Sequence, residues 1–382
     1  MKLVIYNPNS KGGNYDYALR IAGVYATEPE LSSVHLLLPW NADVTGAKHF
    51  RKILFSDIPP IRWKLLSQLY FLFRSLINPF ILFLYLITRS GEIVLLFNDY
   101  DQPTSMIWSP LFRWFKGKKI FGVVLHDPDR DLYFSSLSLS QRTMRSVMKI
   151  MDVAFYHDVL PSKPYYENTT TEYISVPHGL YTVGDVRPDS VLTETLRQFR
   201  EPGSKLISAL GNIREEKNYK LIIRTLTAVP DVQLFICGTP ANTSVDVDSY
   251  RKLVGELSLE RRVLIVERYI NNAELRAVVE ASDAFIMYYG KTFQSQSGML
   301  NLVAPYRKPF LVSDNGSPLS LAVKRFNLGL AGAPDSEADL ASMLKRFSGG
   351  EGVAADWDGY FNFASWENFV SITMNAFKHL KR

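Results

Sequence analysis

The chain has 382 residues, 47% of them hydrophobic and 21% charged, which is about two domains of 100–200 residues and excludes wholesale disorder. One cysteine, Cys237, excludes a disulfide framework and argues against a cysteine-built zinc site. A net charge of +5 admits nucleic acid, a membrane surface or anionic small molecules as partners.

Met1-Lys-Leu-Val-Ile-Tyr runs straight into a polar Asn-Pro-Asn turn. It lacks the long apolar core of a signal peptide, so the chain is expected to stay inside the cell. Short β-branched or apolar runs then predict strands at 3–6, 34–38, 93–97, 120–125, 153–156 and 173–176. Periodic stretches such as 15–26 and 140–150 predict helices between them. Alternation of this kind argues for a parallel sheet covered on both faces.

Residues 48–89 stand apart. They carry seven Lys/Arg against one acid, Asp57, and contain the most apolar run of the chain, 63–88. Arg74 and Asn78-Pro79 interrupt that run, which argues against a membrane span. Two readings remain. One is a pair of buried helices. The other is an interfacial patch whose aromatics and leucines enter headgroups while its cations meet anionic lipid. A second basic cluster, Arg113, Lys116, Lys118 and Lys119 around Trp114 and Phe115, reads equally as a solvated turn or as part of that surface.

Around 181–201 the pattern turns polar, with Gly184, Pro188 and Pro202, which reads as a domain boundary. A second alternating series follows. Strands are predicted at 205–210, 232–237, 263–267, 284–288 and 310–313. Helices are predicted at 219–228, 249–257 and 272–281, the last capped by Asn271 or Asn272 with Glu274 in its first turn. The terminal helix, 366–380, takes Ser365 as N-cap. The expected architecture is α/β: two doubly wound parallel-sheet domains, 1–182 and 203–360, with 361–382 as a terminal helix. Domains of this kind bind ligand in a cleft at the carboxyl ends of their strands.

Several constellations fall at such strand ends. Asn9-Ser-Lys-Gly-Gly-Asn14 follows the first strand, and Gly12 and Gly13 allow close backbone approach to a ligand. A generic strand–helix turn has the same composition. Gly211 ends the first strand of the second domain and is followed by Arg214 and Lys217 at the mouth of a helix. Two cations there suit a diphosphate: arginine grips oxygens bidentately and lysine acts as a point charge. Gln294, Ser295, Gln296, Ser297 and Gly298 precede another helix and offer amides and hydroxyls to phosphate or sugar oxygens, as a plain polar loop also would. His126-Asp127, His157-Asp158 and His178 each follow a predicted strand. His35, His49 and His379 have no such context. No pair of histidines has metal-ligand spacing.

Taken in order, these pieces resemble the GT-B glycosyltransferases, and within them the large retaining group called family four. Val176-Pro-His-Gly179 looks like its pre-linker motif, and Gly211-Asn-Ile-Arg-Glu-Glu-Lys217 like its donor-phosphate turn. Leu234-Phe-Ile-Cys-Gly238 and Ala281-Ser-Asp283 are similar to its strand-flanking motifs. Ser297-Gly298 through Lys308-Pro-Phe-Leu-Val-Ser-Asp314 is similar to its donor-loop region, and Phe363-Ala-Ser-Trp-Glu367 to the start of its terminal helix. The resemblance implies transfer of a sugar from a nucleotide-diphosphate donor to a glycan or lipid-linked acceptor hydroxyl, as in surface polysaccharide synthesis. It implies a donor-binding second domain, an acceptor-binding first domain and a terminal helix crossing back to the first. Arg214 and Lys217 would neutralise the diphosphate. Gly238, Gln294 and Gln296 would contact nucleotide or sugar, Gly12-Gly13 would face a substrate, and His126 would touch the sugar. No metal and no cofactor are implied, since the nucleotide sugar is itself a substrate. The protein would be cytoplasmic and peripheral on the inner face of the membrane through 48–89.

One departure matters. The family's pair of glutamates brackets the helix after the polar loop, but no Asp or Glu lies between Asp283 and Asp314. Gln294, Ser295 and Gln296 occupy the first region, and Asn301, Leu302 and Val303 the second. Such groups hydrogen-bond a sugar without supplying a full negative charge. This leaves open an inverting enzyme, with Asp127 or Asp158 as base, or a non-catalytic nucleotide-sugar or glycan-binding protein. A nucleic-acid binder is disfavoured, because the cations cluster with an apolar run and not along a polar stripe with stacking aromatics.

Overall fold

The computed structural model describes residues 1–44, 46, 48–59, 63–134, 136–167, 170–242, 245–294 and 296–381. Ser295, and Arg62 among the seven cations of 48–89, lie outside the described residues, as does the side chain of Lys64. The chain divides into two compact units: Met1–His178 with Ser365–Arg382, and Gly179–Ala364.

In the first unit the strands are β1 (Lys2–Tyr6), β2 (Ser33–Pro39), β3 (Phe50–Leu54), β4 (Ile93–Phe97), β5 (Ile120–Leu125), β6 (Val153–Tyr156) and β7 (Glu172–Ser175). They form one parallel sheet in the order β3-β2-β1-β4-β5-β6-β7. The central strands are buried almost residue for residue, β4 completely, as a sheet covered on both faces requires. Strand β3 was not predicted. Its sequence, Phe-Arg-Lys-Ile-Leu, is half charged, and it pairs only with β2 at the sheet edge. The helices are α1 (Gly13–Tyr25), α2 (Lys64–Ile87), α3 (Ser105–Phe112) and α4 (Leu137–Met148).

Helix α2 corrects an expectation. The run 63–88 is neither a buried pair of helices nor broken at Asn78-Pro79; 24 of its residues, Lys64–Ile87, form one helix with Pro79 inside it. Proline removes the N–H that would bond the carbonyl four residues earlier, that of Ser75. Thr104 Oγ1 takes over that carbonyl at 2.5 Å. Asn78 is fully buried, and its Oδ1 accepts the amide of Phe55 at 2.7 Å. The polar residues that look like breaks are the ones that fasten the helix to its unit.

In the second unit α5 (Ser190–Phe199) comes first, then β8 (Lys205–Leu210), α6 (Tyr219–Thr225), β9 (Val232–Cys237), α7 (Val247–Glu256), β10 (Val263–Val266), α8 (Asn272–Ala281), β11 (Ala284–Met287), α9 (Gly298–Val303), β12 (Phe310–Ser313), α10 (Pro318–Arg325), β13 (Gly329–Gly332), α11 (Glu337–Ser348) and α12 (Trp357–Phe363). The sheet is parallel, in the order β10-β9-β8-β11-β12-β13. Part of the stretch expected as a polar boundary, 181–201, is α5. Asp189 caps it, and Leu192 and Leu196 enter this unit's core. Asn271 is the N-cap of α8 and forms a reciprocal capping box with Glu274.

The chain ends in α13 (Trp366–His379), capped by Ser365. It belongs to the first unit and packs on α1. The Tyr25 hydroxyl meets Thr373 Oγ1 at 2.5 Å, and Trp366 packs edge-on to Tyr17 at 4.8 Å. The substitution Thr104→Val keeps shape but orphans the Ser75 carbonyl. Urea unfolding should show a loss of about 1–3 kcal/mol, whereas an unchanged midpoint would mean the carbonyl finds another partner.

Candidate active site

Each sheet reverses its strand order once. The reversal lies between β1 and β4 in the first unit and between β8 and β11 in the second. Loops leaving the carboxyl ends of the two central strands must diverge there, which opens a crevice for ligand.

In the second unit the loop after β8 carries Gly211, Arg214 and Lys217, and the loop after β11 runs from Tyr288 to Gly298. Gly211 sits at φ +84, a left-handed conformation suited to glycine. Lys217 folds back so that its Nζ donates to the Leu210 carbonyl at 2.7 Å. The same Nζ lies 3.7 Å from where a Gly211 side chain would begin, and Met299 lies 3.2 Å from that point. The Gly290 amide donates to the Glu216 carbonyl at 2.8 Å. The predicted donor turn and the start of α9 are thus brought together around Gly211.

Lys217 is largely enclosed and has no ion pair among the described residues. Burial, with the positive charge of Arg214 added, pulls its ammonium down to about 7. Arg214 is exposed at the rim. Ser297 is buried, 3.5 Å from the Tyr289 hydroxyl, and Gly298 opens α9. Tyr289 stacks flat on Phe293, with ring centroids 3.8 Å apart. Gln294 Nε2 donates to the Asn315 carbonyl at 3.4 Å, while Gln296 Oε1 is buried without a partner among the described residues. Gly238 has a packing role where a ligand contact was expected. A Cβ there would lie 2.1 Å from the Gly211 carbonyl oxygen, so only glycine lets the ends of β8 and β9 meet. Asn301 is also structural. It is fully buried, its Oδ1 accepts from the Tyr360 hydroxyl, and its carbonyl accepts the Tyr181 amide. It stands in the region that the family resemblance gives to the second glutamate, and its Nδ2 is buried without a partner among the described residues.

In the first unit the loop after β1 is tied down by groups that sequence reasoning passed over. Asp57 accepts from the Ser10 amide at 2.7 Å and from its hydroxyl at 2.5 Å, and also from Asn41. Burial pushes the Asp57 carboxyl up, but these hydrogen bonds outweigh it and hold the carboxyl below its ordinary range. Asp99 accepts from Asn9 and Asn14 at 2.7 and 3.0 Å. Buried Asn98 donates to Asn7 Oδ1 and to the Asn14 carbonyl. The four asparagines and the Asn98-Asp99 pair after a strand were the available signal. Gly12, at φ +87, and Gly13 stand exposed at the loop's tip, with nothing within 4 Å of a would-be side chain.

His126, His157 and His178 end β5, follow β6 and follow β7, and the structure gathers all three around Tyr17. Ring centroids lie 4.5, 5.8 and 5.2 Å from the tyrosine ring. Burial drives His126 down to about 3 and His157 down to about 4, so both are neutral at ordinary pH. His126 Nε2 meets Asn98 Oδ1 at 3.3 Å. Since the Asn98 amide nitrogen is already donating, that oxygen is an acceptor. The proton is therefore assigned to Nε2 and the lone pair to Nδ1. His157 Nδ1 meets the Val176 carbonyl at 3.1 Å. Asp127 and Asp158 are both half-buried beside this cluster, and Asp158 adopts a left-handed backbone.

No family model matches this sequence. A D-inositol 3-phosphate glycosyltransferase of Corynebacterium glutamicum is 26% identical over 179 residues, which cover 43% of this chain and 40% of that protein. The alignment thus reaches less than half of the relative. Solved structures match throughout. Sucrose-phosphate synthase from Thermosynechococcus elongatus superposes with a TM-score of 0.66 at 13% identity, covering 100% of this chain and 99% of that one. The Anabaena protein HepE, solved in complex with UDP and glucose, superposes with a TM-score of 0.66 at 15% identity and the same coverage.

The chain has the GT-B fold. Its two parallel sheets, of seven and six strands, are the two Rossmann-like domains of that fold.

The state of Lys217 in this GT-B protein has a measurable consequence. Its ammonium titrates near 7 when folded and near 10.4 when unfolded. The fold therefore penalises the charged form fully below pH 7, and the penalty disappears as pH rises from 7 to about 10. Lys217→Met should be more stabilising, or less destabilising, at pH 6 than at pH 10, by up to about 4 kcal/mol. Thermal or denaturant melts of both proteins at the two pH values check this. A pH-independent difference would mean that Lys217 carries no such penalty.

Proposed function

We propose that this chain is a glycosyltransferase that moves a sugar from a nucleotide-diphosphate donor to an acceptor hydroxyl. The observation that carries this reading is the cation pair at the switch point of the second sheet. Lys217 is enclosed without an ion pair among the described residues, Arg214 stands exposed beside it, and the Gly211 turn gives backbone access. A departing diphosphate gains negative charge as the glycosidic bond breaks. Fixed cations in a partly desolvated site lower the energy of that transition state more than of the ground state. The likeness to a protein solved with UDP and glucose supports the same donor class.

The first unit takes the acceptor side. Neutral His126 presents a lone pair to a sugar hydroxyl, and the Gly12-Gly13 tip faces a substrate. The transfer is retaining, as the family resemblance implies; Asp127 and Asp158 are the bases to test for an inverting course. Charge stabilisation is assigned to Arg214 and Lys217, with no metal and no cofactor in the proposal. The acceptor is glycan or lipid-linked, as for surface polysaccharide synthesis, and it is met at the inner face of the membrane through residues 48–89. Among the described residues one helix segment, Leu65–Ile87, is long and apolar enough to cross a membrane, and only 28% of its most apolar window is buried.

A second reading is favoured by one observation. No carboxylate lies between Asp283 and Asp314, and Asn301 is committed to packing. A protein that binds a nucleotide sugar without turning it over fits those facts.

Turnover of a panel of UDP- and GDP-sugars, with calorimetry on the same panel, separates the two. The enzyme reading expects one donor to be hydrolysed or transferred, and Arg214→Ala to lower kcat/KM by about 100-fold. Binding without turnover would establish the second reading. Failure of every donor to bind would refute both.

A further inference from the structure

The outer face of α2 is apolar along its whole length. Leu65, Leu69, Leu72, Phe80, Leu84 and Ile87 fall three or four residues apart or a multiple of that, so they share one stripe, and all are exposed, Leu65 at 69%. Trp63, just before the helix, is 76% exposed. Ordinary surface helices turn such a stripe inward. Here the inward stripe is Ser75, Asn78, Leu82 and Leu86, all buried.

Helix α3 lies beside α2. Phe83 joins them, packing against Phe112 at 5.9 Å and Phe115 at 5.3 Å. Its own outward residues are also apolar: Met106, Ile107 and Leu111 are exposed, and Trp114 just beyond is 71% exposed. The charge carried by these two segments has one sign. Arg89, Arg113, Lys116 and Lys118 are exposed, with Lys118 over the Trp114 ring at 5.9 Å. No Asp or Glu occurs from 58 to 91 or from 102 to 126, although Glu92 and Asp152 line a pocket with Lys116 and Lys118. An apolar face with tryptophan and a mostly cationic rim is complementary to an anionic bilayer.

The inner edge of α2 leads to the candidate site. Arg74 donates to the Pro8 carbonyl at 2.8 Å, at the start of the loop after β1. The Tyr70 hydroxyl donates to the Ser56 carbonyl at 2.8 Å. Asn78 holds the neighbouring Phe55 amide, and Asp57 in turn holds Ser10. One helix therefore anchors the glycine loop directly at Pro8 and, through the 55–57 segment, at Ser10. A spanning orientation would strip all of these bonds, whereas a helix lying flat keeps them.

We propose that α2 and α3 form one docking face for an anionic bilayer, and that a bilayer seated there steadies loop 8–13 through Arg74 and Tyr70. This rests on the membrane-surface reading given above and adds a second helix, an orientation and a positioning role for Arg74. Membrane attachment then readies the acceptor loop, so the loop is ordered where a lipid-linked acceptor resides.

The test uses the full chain and vesicles of phosphatidylcholine with or without phosphatidylglycerol. Wild type should sediment with the anionic vesicles. Leu69→Gln with Phe73→Gln, and separately Ile107→Gln with Trp114→Ala, should each lower partitioning by roughly tenfold or more. Hydrogen exchange of the loop amides should slow several-fold on vesicle binding. Arg74→Met should bind vesicles as wild type does but lose that slowing, and Arg74→Lys should keep part of it. No vesicle binding, or a dimer in solution that the α2 variants dissociate, would overturn the membrane reading itself. Loss confined to the α2 variants would overturn the two-helix face. Binding with an unchanged loop, or slowing that persists in Arg74→Met, would overturn the coupling alone.

Discussion

The second unit is organised around a cation that the fold does not neutralise. Lys217 donates to the last carbonyl of β8, sits beneath the Gly211 turn and, among the described residues, has no ion pair, while the positive Arg214 lowers its ammonium further. Enclosing an ammonium without an anion costs free energy. Much around it serves to keep it there. Gly238 lets β9 approach β8, Gly211 turns the chain left-handed, and Met299 closes the other side. A site of this kind favours an anion, and the proposed diphosphate would supply it.

The first unit solves a related problem with neutral and acidic groups. Its switch point is crowded with asparagines, two aspartates and imidazoles held neutral by burial. Asp57 and Asp99 fix the loop after β1 from opposite sides, and Asn98 sets the tautomer of His126. Deeper in the unit, burial pushes the Asp101 carboxyl up to about 7, opposed by Arg74 and by the hydrogen bond from Tyr6 at 2.5 Å. Arg74 thus serves a buried carboxyl and the loop carbonyl of Pro8 from a helix whose outer face is greasy. The two units share a strand plan and differ in electrostatics.

Most of the strand plan was legible in the sequence, because fully buried parallel strands are continuous apolar runs. The two strands that escaped are those that break that rule: β3 carries Arg51 and Lys52 at a sheet edge, and β13 is Gly-Leu-Ala-Gly. Helix α2 was misread because Asn78-Pro79 looks like a break. The bond that repairs it comes from Thr104, which is distant in sequence. The cation turn at Arg214 and Lys217 was legible because strand, glycine, cations and helix are contiguous. The network of Asp57, Asp99 and Asn98 was not, since its members come from the loops after β3 and β4, which only the fold brings to the loop after β1. Gly238 and Asn301 show the converse: their motif positions do not announce the packing that the fold also asks of them.

If Lys217 receives a diphosphate, calorimetry of UDP binding at pH 8, in buffers of different ionisation enthalpy, will register it. Above pH 7 the free protein holds Lys217 largely unprotonated, and an anion beside it restores the charge. Binding should take up a proton, affinity should fall as pH rises from 7 to 9, and both effects should vanish in Lys217→Met. Binding with no proton uptake, and with the same pH dependence in the variant, would contradict that role for Lys217.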